Sequence, residues 1–594
     1  MKILGINSGR AVPPRFDPGF VRKLSDGSAA LVQNGRIRCA AIEERFTRVR
    51  YSNGYRHSGL ACLSRAGIAI DTLDAVAHST CCDSVWSEST DILEDIAETW
   101  EGIFPRERIF KALEGKVFTV DHHQSHATLA FAGSGFDKAI VLVIDGFGNR
   151  LNHPESFDPS PNWWKGAFER QTYFLCEWRH GRIHFEVLHE DAHGPNEIGL
   201  GEVYRSVTHA LGWHTYQHAG KTMALAPFGN PEHLQRSRLI ESVLPHSSRV
   251  PIRNLHNDPI SQIGQVIAAA GYALPDTFGI CTGNPNEPFL CDVAALVQHQ
   301  LETALINTIS GLMEEHGIKN IAFGGGVAMN CVALGKLHRA RPDIKLYIPP
   351  APADTGQALG NALWLAYADR SPITESAPSV PIRSAALGIS YTRAETDRAV
   401  SGFLKNNHDV KAVRISEPKA LASAIVERLL QGKVVGLRQG RAEYGPRALG
   451  QASILADARS REMHDIVNSF KKREPFRPYA PSILAENVEE FLDIGAHSPF
   501  MSIAGIFRRG KGQTVPAVVH VDGSARYQSV DRDIGFYRLL LETYYRRTGI
   551  PIVLNTSFNL NGEPIVETPE DALDCFQRAG MTDLVVGDWY LQHF

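Results

Sequence analysis

The chain has 594 residues, 43% apolar and 21% charged, with a formal charge of −4 and nine cysteines. That length exceeds what one hydrophobic core supports and fits roughly two to four domains, while the ordinary composition excludes a disordered or fibrous chain. The slightly acidic balance gives no global field for nucleic acid, no apolar run is long enough to span a bilayer, and the scattered cysteines, without a CxxC pair, argue for a reducing cytoplasm over a disulfide framework.

The N-terminal MKILGINSG reads as a short strand running into glycine, not as a charged leader with a signal-peptide core. SAALVQNGRIRCAAI follows, with Asn34-Gly35 between two apolar runs, the sequence mark of a tight hairpin. Further strands are expected at VFTV, AIVLVID, NIAFGG and LYIPP, with helices between them; DVAALVQHQLETALINTISGLMEEHG has helical periodicity and ends at glycine. Strands alternating with helices predict an α/β architecture. Residues 368–384, ADRSPITESAPSVPIRS, are rich in Pro and Ser and are expected to join a domain of residues 1–367 to one of residues 385–594. In the second domain VVGLRQG, SILADA, VVHVDG and IPIVLNTS restart the strand pattern.

Asp121–Ala127, DHHQSHA, carries the most chemistry. With Asp121 as N-cap of a helix, His122 and His126 fall on one face one turn apart, which suits two ligands of a divalent metal, and His123 falls off that face. The alternative is a pair of partly buried histidines on an ordinary helix. Asp145 in VIDGFG and Asp354 in PPAPADTG each end an apolar run and could complete a nitrogen-and-oxygen ligand set. Glycine turns at LGINSG, VIDGFG (Gly146, Gly148) and FGGGVAMN (Gly324, Gly325, Gly326, Asn330) allow backbone N–H groups to approach phosphate. None supplies G-x-G-x-x-G in a βαβ unit, and HAGKT fails as a P-loop because Thr215 stands where its first glycine should be. Lys221 in that stretch is either a phosphate contact or a solvated lysine.

In the second domain, GRAEYGPRALGQAS, FKKREPFRPYAPS, VDGSARYQSV and VLNTSFN place Arg441, Arg447, Lys471, Arg473, Arg477 and Arg526 beside turns and strand ends. Arginine forks suit bidentate phosphate contacts, and Asn555 and Ser557 add neutral hydrogen-bonding groups for a carbamoyl or phosphate oxygen. A solvated basic face, paired to carboxylates such as Glu443 and Glu474, is the competing reading.

The glycine-turn order resembles the actin/hexokinase/heat-shock ATPase fold. EERFTR (Glu43–Arg48), HHQSHA, VIDGFG, GKTMALAPFG, GGGVAMN and PPAPADTGQALG, in that order, resemble the nodulation-factor and antibiotic O-carbamoyltransferases, and the likeness covers nearly the whole chain. The C-terminal domain resembles the smaller α/β domain that makes threonylcarbamoyl-adenylate. The resemblance implies that this domain makes carbamoyl-adenylate and pyrophosphate from carbamoyl phosphate and ATP. Arg447, Lys471, Arg477, Arg526 and Ser557 then hold phosphates and carbamoyl group. Asp145, Gly146, Gly148, Lys221, Gly324–Gly326 and Asn330 take the nucleotide, and His122, His126, Asp145 and Asp354 the metal. Iron(II) is the metal implied, although manganese, magnesium or zinc would suit the same donors. The partners implied are ATP, carbamoyl phosphate and a small secondary-metabolite acceptor, as in antibiotic biosynthesis. A nucleic-acid or membrane partner is not expected, and a homodimer is left open.

Two departures stand out. The family's His-Asp-(Ser/Ala)-x-Ala-x-Leu reads Ser25-Asp26-Gly27-Ser28-Ala29-Ala30-Leu31, so the histidine base is missing and Asp26 is the available substitute; the basic position after EERFTR is Arg50. GPRALG is followed by Gln451-Ala452-Ser453, without an expected arginine. A non-catalytic nucleotide-binding relative is therefore a second reading. A metal hydrolase lacks H-E-x-x-H, and a tRNA-modifying role lacks a basic stripe. The acceptor is expected at residues 10–24 and at a long aromatic insertion over residues 149–196, which contains Trp163 and Trp164, with a structural lid or a dimer contact as the competing reading of that insertion.

Overall fold

The structure is a computed structural model and describes residues 1–9, 26–79, 89–146, 168–193, 199–213, 218–244, 247–249, 258–280, 283–373 and 381–593. Residues 10–24, Ser25, Gly148, Trp163, Trp164 and Thr215 lie outside these. The chain forms two compact units, one of Met1–Arg38 and Asn53–Ile382, the other of Cys39–Ser52 and Arg383–Phe594. The EERFTR segment therefore goes with the second unit, although it directly follows the first hairpin.

In the first unit, β1 (Lys2–Asn7) pairs antiparallel with β2 (Ser28–Gln33) and parallel with β4 (Ala75–His78). The two-residue turn to β3 (Arg36–Ile42) has positive φ at both Asn34 and Gly35, 50° and 72°, the geometry that Asn-Gly supplies at low strain. With β5 (Val117–Thr119) the sheet order is β3-β2-β1-β4-β5. A second sheet repeats this plan. β6 (Lys138–Ile144) pairs antiparallel with β7 (Phe168–Arg179), which pairs antiparallel with β8 (Arg182–His193). The short β9 (Glu241–Leu244) and β10 (Ser247–Arg249) form a separate ribbon, after which β11 (Asn320–Gly324) and β12 (Lys345–Tyr347) add in parallel beside β6. The order β8-β7-β6-β11-β12 matches β3-β2-β1-β4-β5 strand for strand, the duplicated topology of the actin/hexokinase/heat-shock ATPase fold.

Residues 168–193, expected within an aromatic insertion, are thus strands of the second sheet. Their alternation buries Tyr173, Phe174, Cys176, Ile183 and Phe185, so these aromatic rings are strand core rather than ligand walls.

Two central helices carry the site between these sheets. Helix His122–Ser134 packs on β6 and β11, helix Gln357–Tyr367 packs on β1 and β2, and the two helices pack on each other. The contact is closer than a side chain allows: a Cβ on Gly360 would stand 2.3 Å from Ser125 O, and one on Gly5 1.8 Å from Ala358 O. The periodic run at 292–317 lies in one helix, Pro288–His316, which starts four residues earlier and ends at Gly317 with φ 65°. Among the described residues no helix is long and apolar enough to cross a membrane, and the six described cysteines are buried.

The second unit holds a nine-stranded sheet of β13 (Val410–Arg414), β14 (Val435–Arg438), β15 (Ala452–Ala456), β16 (Ala480–Leu484), β17 (Ile503–Ile506), β18 (Ser524–Val530), β19 (Ile552–Ser557), β20 (Asp583–Val586) and β21 (Trp589–His593), in the order β13-β21-β20-β14-β15-β19-β16-β18-β17. Helices Pro418–Leu430 and Phe536–Thr548 cover it, packing Leu421, Ile425, Leu429, Leu540 and Tyr544 onto Val435, Leu437, Val553 and Val585. The strand expected at VVHVDG is absent. Pro516–Val518 is a 3₁₀ turn with Val518 fully buried, and His520 N–H turns back to Ser524 O, so the ladder starts only at Ser524. Proline without an N–H and a chain reversal at Gly523 outweigh the valine-rich composition.

A candidate metal centre and a candidate anion pocket

Asp121 caps the helix it was expected to start, its carboxylate accepting from Gln124 N–H at 2.8 Å, and the helix stops at Gly135 with φ 75°. His122 and His126 consequently share a face. Asp145 leaves the end of β6, and Asp354 opens a short 3₁₀ turn leading into helix Gln357–Tyr367. The four side chains converge: His126 Nε2 lies 3.1 Å from Asp145 Oδ2 and 3.4 Å from Asp354 Oδ1, and His122 Nε2 lies 3.8 Å and 3.5 Å from the same atoms. All four donor atoms fall within 4.8 Å of one another.

The distances alone would permit hydrogen bonds, yet among the described residues none of the four buried atoms makes one with acceptable angles. Four orphaned donors converging on one point are costly unless something there satisfies them. Ligands about 2.1 Å from one ion stand about 3.0–3.4 Å apart at octahedral or tetrahedral angles, close to the spacings seen. Two imidazoles and two carboxylates therefore fit one divalent cation. Burial opposes charge on both rings, but Asp145 and Asp354 outweigh it and hold His122 and His126 above the ordinary histidine range. Conversely, the two rings hold Asp145 well below the usual carboxylate range against its own burial.

Neighbouring groups fix these ligands. Asp145 Oδ1 accepts from Gly146 N–H at 2.7 Å, leaving Oδ2 for the cluster. Gln357 Nε2 donates to His122 O at 3.1 Å, and Ser125 Oγ donates to Gln357 O at 3.1 Å. Asn7 Nδ2 donates to both Asp354 O and Asp26 O, at 2.9 and 3.1 Å. His123, off the ligand face, is bonded through Nδ1 to Thr172 Oγ1 at 2.6 Å, and burial drives its basicity well down. The glycine run lies against the cluster. A Cβ on Gly324 would meet His126 O at 3.1 Å, one on Gly326 would meet Asp145 Oδ1 at 3.1 Å, and Gly325 has φ 86° with Ile144 O only 2.4 Å from the Cβ position. Asn330 is committed elsewhere, capping Ala333 N–H and bonding Gln298. Lys221 sits with Nζ 5.8 Å from the Trp213 ring centre. Asp26 has φ 78°, a left-handed backbone that aspartate tolerates better than most residues.

In the second unit, cations crowd together. Lys471 ends helix Glu462–Lys471 and is 4% exposed; its ammonium donates to Ser557 O, Asn559 O and Asn559 Oδ1 at 2.7 Å and reaches Ser557 Oγ at 3.2 Å. Burial lowers its basicity well below the usual lysine range, and Arg473, Arg477 and Arg50 push the same way. The Arg473 guanidinium lies 4.0 Å from the Tyr479 ring centre; burial lowers it to about 10, with Arg477 and Arg526 adding repulsion. Arg477 has a carboxylate nearby, Glu474 at 3.4 Å, whereas Glu443 faces Arg45. Arg441 donates to Gly388 O and Leu387 O. Asn555 Nδ2 contacts Ala448 O, Ser482 Oγ and Gln528 Oε1, while its Oδ1 is buried without a donor. Ala448 ties that amide to the turn bearing half-buried Arg447.

Asn559, which receives Lys471, and Arg45, which stands between Glu443 and Glu567, were not singled out from sequence, nor was Glu567. An asparagine two residues past NTS was the one available signal for Asn559. Nothing in sequence distinguishes a buried arginine within EERFTR from a solvated one.

A family description for the carbamoyltransferase N-terminus matches residues 19–363, and one for the carbamoyltransferase C-terminus matches residues 426–593. The chain is 31% identical to an uncharacterized protein of Synechocystis over 95% of both chains. It is also 31% identical to nodulation protein NolNO of Sinorhizobium fredii, over 96% of this chain and 79% of that protein. Among solved structures, HypF of T. kodakarensis aligns with a TM-score of 0.32 and 12% identity over 61% of this chain and 47% of that one.

Proposed function

The chain belongs to the carbamoyltransferase family, and from that membership we propose that it divides carbamoyl transfer between two sites, activating the group in the second unit and delivering it from the first. In the second unit carbamoyl phosphate, ATP and water give carbamoyl-adenylate, phosphate and pyrophosphate. The reaction needs positive donors aimed at phosphate oxygens and little covalent work by the protein. Arg447, Arg477 and Arg526 supply those donors, Lys471 fixes the Ser557–Asn559 loop, and the donor-free Asn555 Oδ1 suits a carbamoyl N–H. The mutual repulsion of Lys471, Arg473 and Arg477 supports this assignment, because an incoming anion relieves it.

In the first unit His122, His126, Asp145 and Asp354 would hold a divalent ion, which when bound would supply positive charge toward the nucleotide phosphate. Gly146, with open space at its Cβ position, leaves the backbone accessible to the nucleotide, and Gly324–Gly326 pack their turn tightly against the cluster. An acceptor hydroxyl attacks the carbamoyl carbon, the bond to the adenylate oxygen breaks, and Asp26 takes the hydroxyl proton. The acceptor is a small molecule bearing a hydroxyl; an amine, a stronger nucleophile, would make weaker demands on the base. Keeping the mixed anhydride inside one protein limits its hydrolysis.

The observation that carries this reading is the quartet of buried, hydrogen-bond-free donor atoms within 4.8 Å in the first unit. The reading is tested by incubating the protein with ATP, carbamoyl phosphate, a hydroxyl acceptor and manganese or iron(II), measuring pyrophosphate, trapping carbamoyl-adenylate and following metal-dependent carbamoylation of the acceptor. Pyrophosphate release dependent on carbamoyl phosphate is expected. Its absence with every divalent metal would overturn the reading.

A further inference from the structure

The turn that carries Arg447 is anchored at both ends by buried charge. Glu443, 2% exposed, gathers three backbone donors on one oxygen: Oε1 accepts the N–H groups of Leu449, Gln451 and Ala452 at 2.9, 2.9 and 3.0 Å. Arg45, 1% exposed, holds the opposite end, its Nη2 donating to Gly445 O at 2.8 Å. Arg45 Nη1 lies 4.0 Å from Glu443 Oε2 and 3.8 Å from Glu567 Oε2, so one guanidinium stands between two carboxylates. The intervening backbone is held as well, with Gly450 N–H donating to Ser453 Oγ at 3.0 Å and Gln528 Nε2 to Leu449 O at 3.0 Å. Gly445 and Gly450 have φ of 128° and 105°, and a Cβ on Gly450 would meet the Tyr537 ring at 2.3 Å.

A buried triad with one positive and two negative charges is a poor way to gain stability, since apolar side chains of similar volume usually do as well or better. Glu443 Oε1 and Arg45 Nη2 are committed instead to a tight turn whose centre is Arg447, while Arg45 Nη1 and Glu443 Oε2 face each other with no hydrogen bond among the described residues. We propose that Arg45 and Glu443 are positioning residues for anion binding. They fix the backbone of residues 444–452 so that the Arg447 guanidinium meets the phosphate of the carbamoyl donor without first ordering the turn. The inference rests on the reading of Arg447 as an anion contact.

The test compares full-length wild type with Arg45→Met, Arg45→Lys, Arg447→Ala and the Arg45→Met/Arg447→Ala double variant. The readouts are the KM for carbamoyl phosphate in pyrophosphate release and the calorimetric Kd for pyrophosphate. Arg45→Met is expected to raise both about tenfold with a smaller change in kcat, and Arg45→Lys to recover part of the loss. In the Arg447→Ala background the Arg45→Met change should add less than about twofold, because the residue acts through Arg447. A purely structural role would lower the folded fraction and leave KM unchanged. If Arg45→Met does not fold, Glu443→Gln keeps the volume and the acceptor but removes the charge, and a raised KM is again expected. An effect of Arg447→Ala with a wild-type KM in Arg45→Met or Glu443→Gln, or full additivity in the double variant, would overturn the positioning role. A neutral Arg447→Ala in an active enzyme would instead overturn the pocket reading beneath it.

Discussion

His126 Nε2 and Asp145 Oδ2 stand 3.1 Å apart, buried, and no hydrogen bond joins them. One atom comes from the first turns of a helix and the other from the end of β6, and both are short of a partner. A shared ion resolves this, and the same argument extends to His122 and Asp354.

Replacing a ligand should therefore remove the metal before it affects the fold. His126→Ala or Asp354→Asn is expected to weaken manganese or iron(II) binding by at least roughly 100-fold, more than the loss typical for groups one step removed from the metal. Metal content after dialysis and calorimetric titration measure it. Full stoichiometry in both variants would dismiss the centre.

Arg447→Ala should cut pyrophosphate release steeply. A charge-assisted contact to phosphate is worth about 1.5–3 kcal/mol, or roughly 10- to 150-fold. Metal binding in the first unit should not change, so a parallel loss of metal would point to misfolding.

Much of this was legible beforehand. Asn34-Gly35, the Asp121 cap and the His122/His126 spacing are local signals, and each maps onto the structure without adjustment because a turn or one helical turn decides it. The convergence of Asp145 and Asp354 on those rings was legible only as an order of motifs, since tertiary topology brings β6 and the helix starting at Gln357 together. Residues 168–193 misled because aromatic, histidine-rich text serves a two-sided strand as well as a ligand wall. VVHVDG misled because apolar β-branched residues also fill a buried 3₁₀ turn. Arg45 was hidden within a motif, as burial of a charge leaves no mark in sequence.

The helix pair behind the candidate metal centre should tolerate no side chain at Gly360. Gly360→Ala forces a Cβ to 2.3 Å from Ser125 O and is expected to cost about 1–3 kcal/mol, lowering the melting temperature by several degrees and loosening metal binding. Gly402→Ala, in a helix with open space at its Cβ, should instead be neutral or stabilising. Calorimetric melting of both variants checks the contrast.

His78 predicts an acid limb. Burial, opposed by Asp95, lowers it from 6.5 to about 4, and among the described residues neither ring nitrogen has a partner. The unfolded chain therefore binds a proton that the folded chain refuses. The contribution is fully present above pH 6.5 and is lost as pH falls to about 4, amounting to about 3 kcal/mol. His78→Leu should flatten that limb in denaturant titrations without lowering stability at pH 7.5; an unchanged acid limb would contradict the assignment.

The division of labour is tested most directly by assaying both half-reactions in His126→Ala and Arg447→Ala with the same preparations of ATP, carbamoyl phosphate and a hydroxyl acceptor. The account predicts that His126→Ala still releases pyrophosphate but transfers no carbamoyl group, whereas Arg447→Ala releases at least about tenfold less pyrophosphate and yet transfers from supplied carbamoyl-adenylate at the wild-type rate. Loss of both activities in each well-folded variant would contradict it.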